Sequence, residues 1–494
     1  MKKHNLLKTL AIFFVVLVAL SWIIPVGTST SGTYVEGTTS PVGIFHLFRL
    51  PLLTIGTFLQ YGLVFLGIGG LYGVLNRTGA YVPFVKRVAN YWKGNETLFL
   101  SLVIGGFALL ASLTALSFPL FILVPFFITV ILVMGMRKTT ALAATVGAIL
   151  VGLTGSTYGF NVSGYINTYL ELDVNNLMFT KIILLVMLVT LLILFVTKYA
   201  RVDLAMAKKK EKKVEKKETK ASKKKEEVIA KEEKEEPKIL FFQEKYQNNK
   251  SVAPMIIILL LAIVLSLVMM FNWYYGLKVT FFQDIYTSLM EIKIGDYPLV
   301  SNLLGGLSQF GYWSYYELTV VLIISSLLIG WIYSLKFDEI LDGFFKGAKR
   351  MTKVAFYASI CSIFFAVILT NQSGNMFATI TNYLLNLTKS FNFFITSVLS
   401  FIGGFFYNDF YYLVGETRPL LASKYDAATL PVVGLALQSM YGLAMMVFPS
   451  SVILISGLSY LEVSYKDWLK YIWKFLLSIF VVIMLVLIIS TLFI

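Results

Sequence analysis

Three polar interruptions in otherwise apolar runs hold the side chains best placed to bind a solute or an ion. The first is GLTGSTYGFNVSG at residues 152–164, which contributes Ser156, Thr157 and Asn161. An unwound helix there would expose carbonyls that hold a cation, while the N-terminus of the following half-helix would favour an anion. The plainer reading is a helix end running into an outer loop. The second is FPSSVILISG at residues 448–457, where Pro449 removes a backbone donor and Ser450 and Ser451 sit mid-passage. Its plainer reading is a proline kink with serines bonded back to the preceding turn. The third is FFYNDFYYLVGETRPLLASKYD at residues 405–426, with Asp409, Glu416 and Arg418 among aromatic residues. Ionisable groups at membrane depth are costly and usually mark pathways or partners. Glu416 and Arg418 are placed to close a hairpin tip, with Arg418 meeting a substrate carboxylate bidentately. An outer loop with solvated charges is the competing reading, since Lys424 and Asp426 follow closely.

A fourth turn, ASLTALSFP at residues 111–119, has Thr114, Ser117 and Pro119 but no charge, so it can line a site only through hydroxyls and backbone groups. The substrate-binding candidates are therefore Thr114, Ser117, Ser156, Thr157, Asn161, Arg418, Ser450 and Ser451. Those for ion coupling are Ser156, Thr157, Asn161, Asp409 and Glu416. Metal chemistry is not expected, because there is one cysteine, Cys361, and two histidines, His4 and His46. No Gly-rich phosphate loop with a trailing Lys and Ser or Thr, no HExxH and no GxSxG occurs. Without an ATP-binding module, transport would draw on an ion gradient or on exchange. The run TNQSGN at 370–375 reads as an outer turn rather than a site.

The elements that must position these residues are membrane helices. The 494 residues are 57% hydrophobic and only 14% charged, with mean hydropathy +0.77, against about 25% charged in soluble domains. One globular core could not bury so much apolar surface. Apolar stretches able to cross a ~30 Å hydrocarbon core recur along the chain, and their lack of polar–apolar alternation excludes a β-barrel. The net charge of +15 is not a nucleic-acid signal, because 17 of the 42 Lys and Arg, together with 11 of the 27 acids, lie between positions 201 and 250. That segment lacks the apolar residues for a core and reads as a solvated helix or disordered linker on the cytoplasmic face.

Basic clusters between apolar runs place the N-terminus inside and the C-terminus outside, with an uncleaved first span at about 10–26 followed by a polar Gly/Ser/Thr-rich loop. Residues 97–136 must turn back on themselves, as two spans or as a re-entrant hairpin. In FDEILDGFFKGAKRMTK, Ile340, Phe344, Phe345, Ala348 and Met351 share one helical face, which predicts a cytoplasmic interfacial helix. Residues 1–200 and 251–494 then read as two membrane halves around the 201–250 linker. Each runs through a span, a broken hairpin-like stretch, a span with a polar break and a final span, in opposite orientations, as in inverted-repeat secondary transporters.

Several motifs carry a family resemblance: WIIPVGT, PVGIFHLF, GIGGLYGVLNRTGAY, GSTYGFNV and VSYKDWLKYIWKF. Together they look like the YfcC-like permeases, a group related to the anaerobic C4-dicarboxylate carriers within the ion-transporter superfamily. The resemblance covers most of both halves but not the charged linker. It implies an all-α polytopic membrane protein of inverted repeats with two hairpins and two broken helices. It also implies elevator-type movement and small organic anions or amino acids as substrates, often with Na⁺ or H⁺. The chain departs from that pattern. Ala115 and Leu116 precede Pro119 where an acidic pair is usual, and Tyr158 and Gly159 follow GST in place of Asn-Pro. In the second half the usual Gln, Asp-Gly and Asn are reduced to Gln438 with Tyr441 and Gly442, and NDFYYLVGETRP replaces a small-residue tip.

The expected function is secondary transport of a small carboxylate-bearing solute, such as a dicarboxylate or amino acid, coupled to Na⁺ or H⁺ and with no resident cofactor. An amino-acid exchanger without a coupling ion is the alternative, and a lipid-modifying membrane enzyme the more distant one. The expected partners are the lipid bilayer, the solute and a second copy in a homodimer, in a multi-pass protein of the cell membrane.

Overall fold

The computed structural model describes residues 5–30, 32–53, 55–221, 239–243, 246, 250–369 and 374–493. Residues 222–238, 244–245 and 247–249 of the expected 201–250 linker, His4 and most of the TNQSGN turn lie outside the described residues. Seven helices among these are long and apolar enough to cross a membrane, and the rest of the structure is almost wholly helical.

Two glycine pairs build the rigid part. Gly69 and Gly73 on helix Ile55–Arg77 face Gly343 and Gly347 on helix Phe337–Leu369. A Cβ on Gly73 would fall 2.1 Å from the Gly343 carbonyl, and one on Gly347 would fall 2.1 Å from that of Gly69. Only glycine permits this backbone contact, the small-xxx-small pairing of membrane helices. Phe344 and Met351 close over Gly70 and Gly69. The predicted interfacial helix is therefore corrected. Of the predicted face, Ile340, Phe344 and Met351 pack on neighbouring helices while Phe345 is exposed, and the segment is continuous with the following span. Its 33 residues extend about 50 Å at 1.5 Å per residue, longer than the ~30 Å hydrocarbon core. The excess projects at the charged end. Helices Ala253–Met270 and Tyr315–Ile332 complete this group.

Around it the two halves repeat one order of elements. The first runs Ile55–Arg77, Tyr81–Tyr91, the hairpin Glu96–Thr114 and Ser117–Val133, Lys138–Thr154, a break at 155–159, a short helix over 160–169, then Met178–Ala221. The second runs Phe337–Leu369, Met376–Leu385, the hairpin Phe393–Phe406 and Phe410–Lys424, Leu430–Met445, a break at 446–451, Val452–Leu461, then Tyr465–Thr491. Helix Met178–Ala221 is continuous across residue 200, where the first half was expected to end. Helix Glu96–Thr114 has the length and apolarity of a span, and its tip lies with the second hairpin's tip on one cavity.

The basic clusters assemble at one end. Arg77 pairs with Asp342 at 3.1 Å and donates to the Tyr246 hydroxyl at 2.6 Å. Arg137 pairs with buried Asp203, Lys353 lies 3.6 Å from Glu462, and Lys250 donates to the Tyr333 carbonyl at 2.7 Å. The loop after the first span is a second difference from expectation. Strands Pro25–Thr30 and Thr33–Thr39 form an antiparallel hairpin rich in β-branched residues, turning at Gly32 with φ +82°. An isolated hairpin is marginal in water. This one docks on the second half: Gly27 and Asn375 exchange backbone hydrogen bonds of 2.9 and 3.0 Å, and the Tyr34 hydroxyl lies 2.9 Å from Thr379 Oγ1.

Candidate functional site

Both hairpin tips and both helix breaks open on a single cavity of about 220 Å³. From the first half come Ala115 and Ser117 at the tip and Asn161 and Val162 after the break. From the second come Asn408 and Asp409 at the tip and Ser451, Val452 and Ile453 after the break. Ser117, Asn161, Asp409 and Ser451 each stand at or beside the start of a helical segment, where N–H groups already have partners: Val162 donates to the Gly159 carbonyl at 3.1 Å and Leu454 to Ser451 Oγ at 3.4 Å.

The walls are aromatic. Tyr61 stacks on Phe118 with centroids 5.1 Å apart, Tyr315 packs against both at 5.4 and 4.6 Å, and Tyr441 lies 4.9 Å from Phe410. Tyr165 completes the ring. Tyr61 and Tyr315 come from the glycine-packed group, whereas the other lining residues belong to the hairpins and broken helices, so the cavity lies on the seam between them. Among the described lining residues there is one carboxylate, Asp409, and no Lys, Arg or His. Asp409 caps the second arm, accepting the Tyr411 N–H at 3.0 Å.

The candidates read from sequence separate into three groups. Ser117, Asn161, Asp409 and Ser451 line the cavity. Ser156, Thr157 and Ser450 are buried behind it and fasten the breaks. The Ser112 carbonyl accepts the N–H groups of Thr157 at 3.0 Å and Gly159 at 3.2 Å, while the Ser112 hydroxyl donates to the Gly155 carbonyl at 2.7 Å. Ser450 donates to the Gly404 carbonyl at 2.6 Å. Thr114 sits at the first tip but bonds back to the Leu110 carbonyl at 2.7 Å. The third group lies away from the cavity. Glu416 and Arg418 fall two turns into the arm Phe410–Lys424, because the Asn408-Asp409 pair starts that helix and makes 407–409 the tip. Arg418 pairs instead with Glu171 at 3.0 Å, and both side chains are well exposed.

Other residues were not among those candidates, Gln438 having been named only within the family pattern. Gln438 is fully buried; its amide donates to the Ser156 carbonyl at 2.6 Å and its carbonyl lies 2.9 Å from Ser163 Oγ, joining one half's helix to the other's break. A glutamine in an apolar helix was a usable signal, as were Tyr61 and Tyr315 within spans. Ser112 and Ser163 gave none, being ordinary hydroxyls on apolar segments. Lys181 is also buried on the last span of the first half, and its ammonium has no hydrogen-bond partner. At Ala115 the backbone adopts φ +53°, a left-handed conformation unfavourable for a residue with a Cβ.

The solved structure of the YdaH transporter from Alcanivorax borkumensis aligns over 97% of each chain at 13% identity, with a TM-score of 0.35. No curated protein matches the sequence. The family model described as DcuC, C4-dicarboxylate anaerobic carrier, matches residues 4–492 and so takes in both membrane halves and the segment between them. The chain is a multi-pass membrane transporter and not an enzyme, and it belongs to the C4-dicarboxylate anaerobic carrier family.

Proposed function

We propose that the cavity between the two tips and the two breaks is the solute site of secondary transport, and that the solute is small and carboxylate-bearing. The observation that supports this most is the convergence of both hairpin tips and both helix breaks on one cavity of about 220 Å³, smaller than the ~300–1,000 Å³ usual for drug-sized ligands. Backbone N–H groups and helix dipoles favour a carboxylate without any basic side chain. Beside an ionised Asp409 a carboxylate enters at low cost only with a cation. Na⁺ or H⁺ beside Asp409 meets that need. The first break is less suited to a cation, since the carbonyls of Gly155 and Ser156 already accept hydrogen bonds from Ser112 and Gln438.

The seam suggests how access alternates. Hairpins and broken helices would slide as a body past the glycine-packed group, carrying the solute away from Tyr61 and Tyr315. The N-terminus and the 201–250 segment face the cytoplasm in this reading, and the C-terminus the outside.

Purified protein in liposomes tests the function. Uptake of at least one labelled dicarboxylate or amino acid is expected under an inward Na⁺ or proton gradient, or by exchange with internal solute. Folded protein that moves none of them under any of these conditions refutes the proposal. For orientation, the only native cysteine, Cys361, is buried, so single cysteines are readable. A cysteine at Lys220 should resist an impermeant external reagent and one appended after Ile494 should react; the opposite pattern overturns the orientation.

A further inference from the structure

We infer that the groove between the second hairpin and the last span binds one anionic phospholipid, with an acyl chain along the groove and the phosphate at three lysines of that span. The groove stands apart from the solute cavity in both place and chemistry.

Three elements, distant in the chain, form this groove of about 570 Å³. Phe394 and Phe401 come from the first arm of the second hairpin, Leu443 from the helix before the second break, and Trp473, Leu477 and Phe480 from the last span. Phe394, Trp473 and Leu477 are exposed, so in a membrane the groove is open to lipid. Apolar surface alone selects nothing there, because lipid tails are as apolar as leucine; selection comes from close packing and from polar groups. A concave groove with three walls supplies the packing for one chain.

Charge identifies the headgroup. Lys466 and Lys470 precede Trp473 by seven and three residues, which puts both on the groove side of the helix, about 10 and 4.5 Å from Trp473 along the axis. Lys474 holds its ammonium 5.5 Å from the centre of the Trp473 ring. All three lysines are exposed, and among the described residues none pairs with a carboxylate. The nearest acids in sequence are engaged, Asp467 with the Ser464 cap and Glu462 with Lys353 at 3.6 Å. Trp473 stands between the lysines and the apolar groove, as indole rings do at the boundary of a membrane. Phe480 lies about 10 Å beyond it in the other direction, so the groove runs away from the lysines as an acyl chain runs from its phosphate. A basic cluster at a helix end attracts anionic lipid, whereas a zwitterionic headgroup offers it no net charge. Because the arm Phe393–Phe406 leads to the Asn408-Asp409 tip, a seated chain braces that arm against the last span.

Two lipids with the same chains separate charge from groove. Thermal stabilisation of the purified full-length protein in detergent is measured with dioleoylphosphatidylglycerol and with dioleoylphosphatidylcholine. The anionic lipid should reach half its effect at a concentration lower by about fivefold or more. Lys466→Gln, Lys470→Gln and Lys474→Gln together should abolish that preference, whereas the same change at the exposed Lys93, Lys198 and Lys349 should preserve it. Leu477→Trp fills the groove from an exposed position and should weaken the response to both lipids. All these side chains are exposed, so the variants should fold, and melting without added lipid checks that. Equal action of the two lipids on the unaltered protein overturns the inference. So does a preference that survives loss of the three groove lysines, or that vanishes equally with the three control lysines. A Leu477→Trp variant that responds to both lipids as the unaltered protein does also overturns it. None of these outcomes bears on the transport proposal, which uptake tests separately.

Discussion

The two broken helices occupy equivalent places in the two halves yet are fastened differently. At the first break the free backbone groups are consumed. Ser112 bonds to Gly155, Thr157 and Gly159, and Gln438 reaches across from the other half to the Ser156 carbonyl. At the second break Ser450 holds the Gly404 carbonyl, Ser400 holds that of Leu437, and Ser451 turns to the cavity while capping Val452–Leu461. The tips differ in the same sense, Ala115 and Leu116 against Asn408 and Asp409. A fold can therefore be nearly symmetric while its chemistry is not. The first half supplies a firm wall, and the second supplies the charge.

The contrast is broken most severely at Gln438. Gln438→Leu removes the amide that bonds both the Ser156 carbonyl and the Ser163 hydroxyl, leaving those two their 2.9 Å bond to each other, and each lost hydrogen bond is worth about 0.5–1.5 kcal/mol. A clear fall in melting temperature in detergent is expected, larger than that of Ser450→Ala, which strips one donor from the Gly404 carbonyl. Equal losses would mean that the first break is no more firmly fastened than the second.

Thr157 and Asn161 sharpen the comparison within one break. Thr157 is buried against Ser112, whereas Asn161 faces the cavity. Thr157→Ala should lower stability by about 1 kcal/mol and spare solute affinity, while Asn161→Ala should weaken solute binding by about 0.5–1.5 kcal/mol with melting nearly unchanged. A reversed pattern, read by thermal unfolding and binding on the same samples, would exchange wall and site. The smallest effect is expected at Arg418. Its exposed pair with Glu171 is worth about 0–1 kcal/mol, so Arg418→Ala should leave affinity and transport unaltered. A tenfold loss of affinity there would return Arg418 to the solute site.

Much of this was legible from residue order. Pro449 and the Gly152–Gly155–Gly159 spacing marked the breaks, because helices cannot pass proline cheaply and glycine loosens them. Asp409 stood out because carboxylates are rare in apolar runs. Misplacing the tip near Glu416 and Arg418 followed from reading charge before capping: Asn408-Asp409 ahead of an apolar run is a helix start, and the charges beyond it fall on the arm. The β-hairpin at 25–39 was hidden because its strands are stabilised by Asn375 and Thr379, more than 300 positions away.

Composition and periodicity by themselves determined that this is a polytopic membrane protein and where its helices break, because hydrocarbon admits only apolar helices whose backbone is internally satisfied. They could not decide which hydroxyls face the cavity. Ser450 and Ser451 are adjacent and chemically identical, yet one holds the Gly404 carbonyl and the other lines the cavity. That division depends on where a hairpin from another stretch of chain comes to rest. So does the meeting of Tyr61, Asp409 and Asn161, drawn from three distant segments into one cavity, since only the packed tertiary structure sets the direction in which each helix end points.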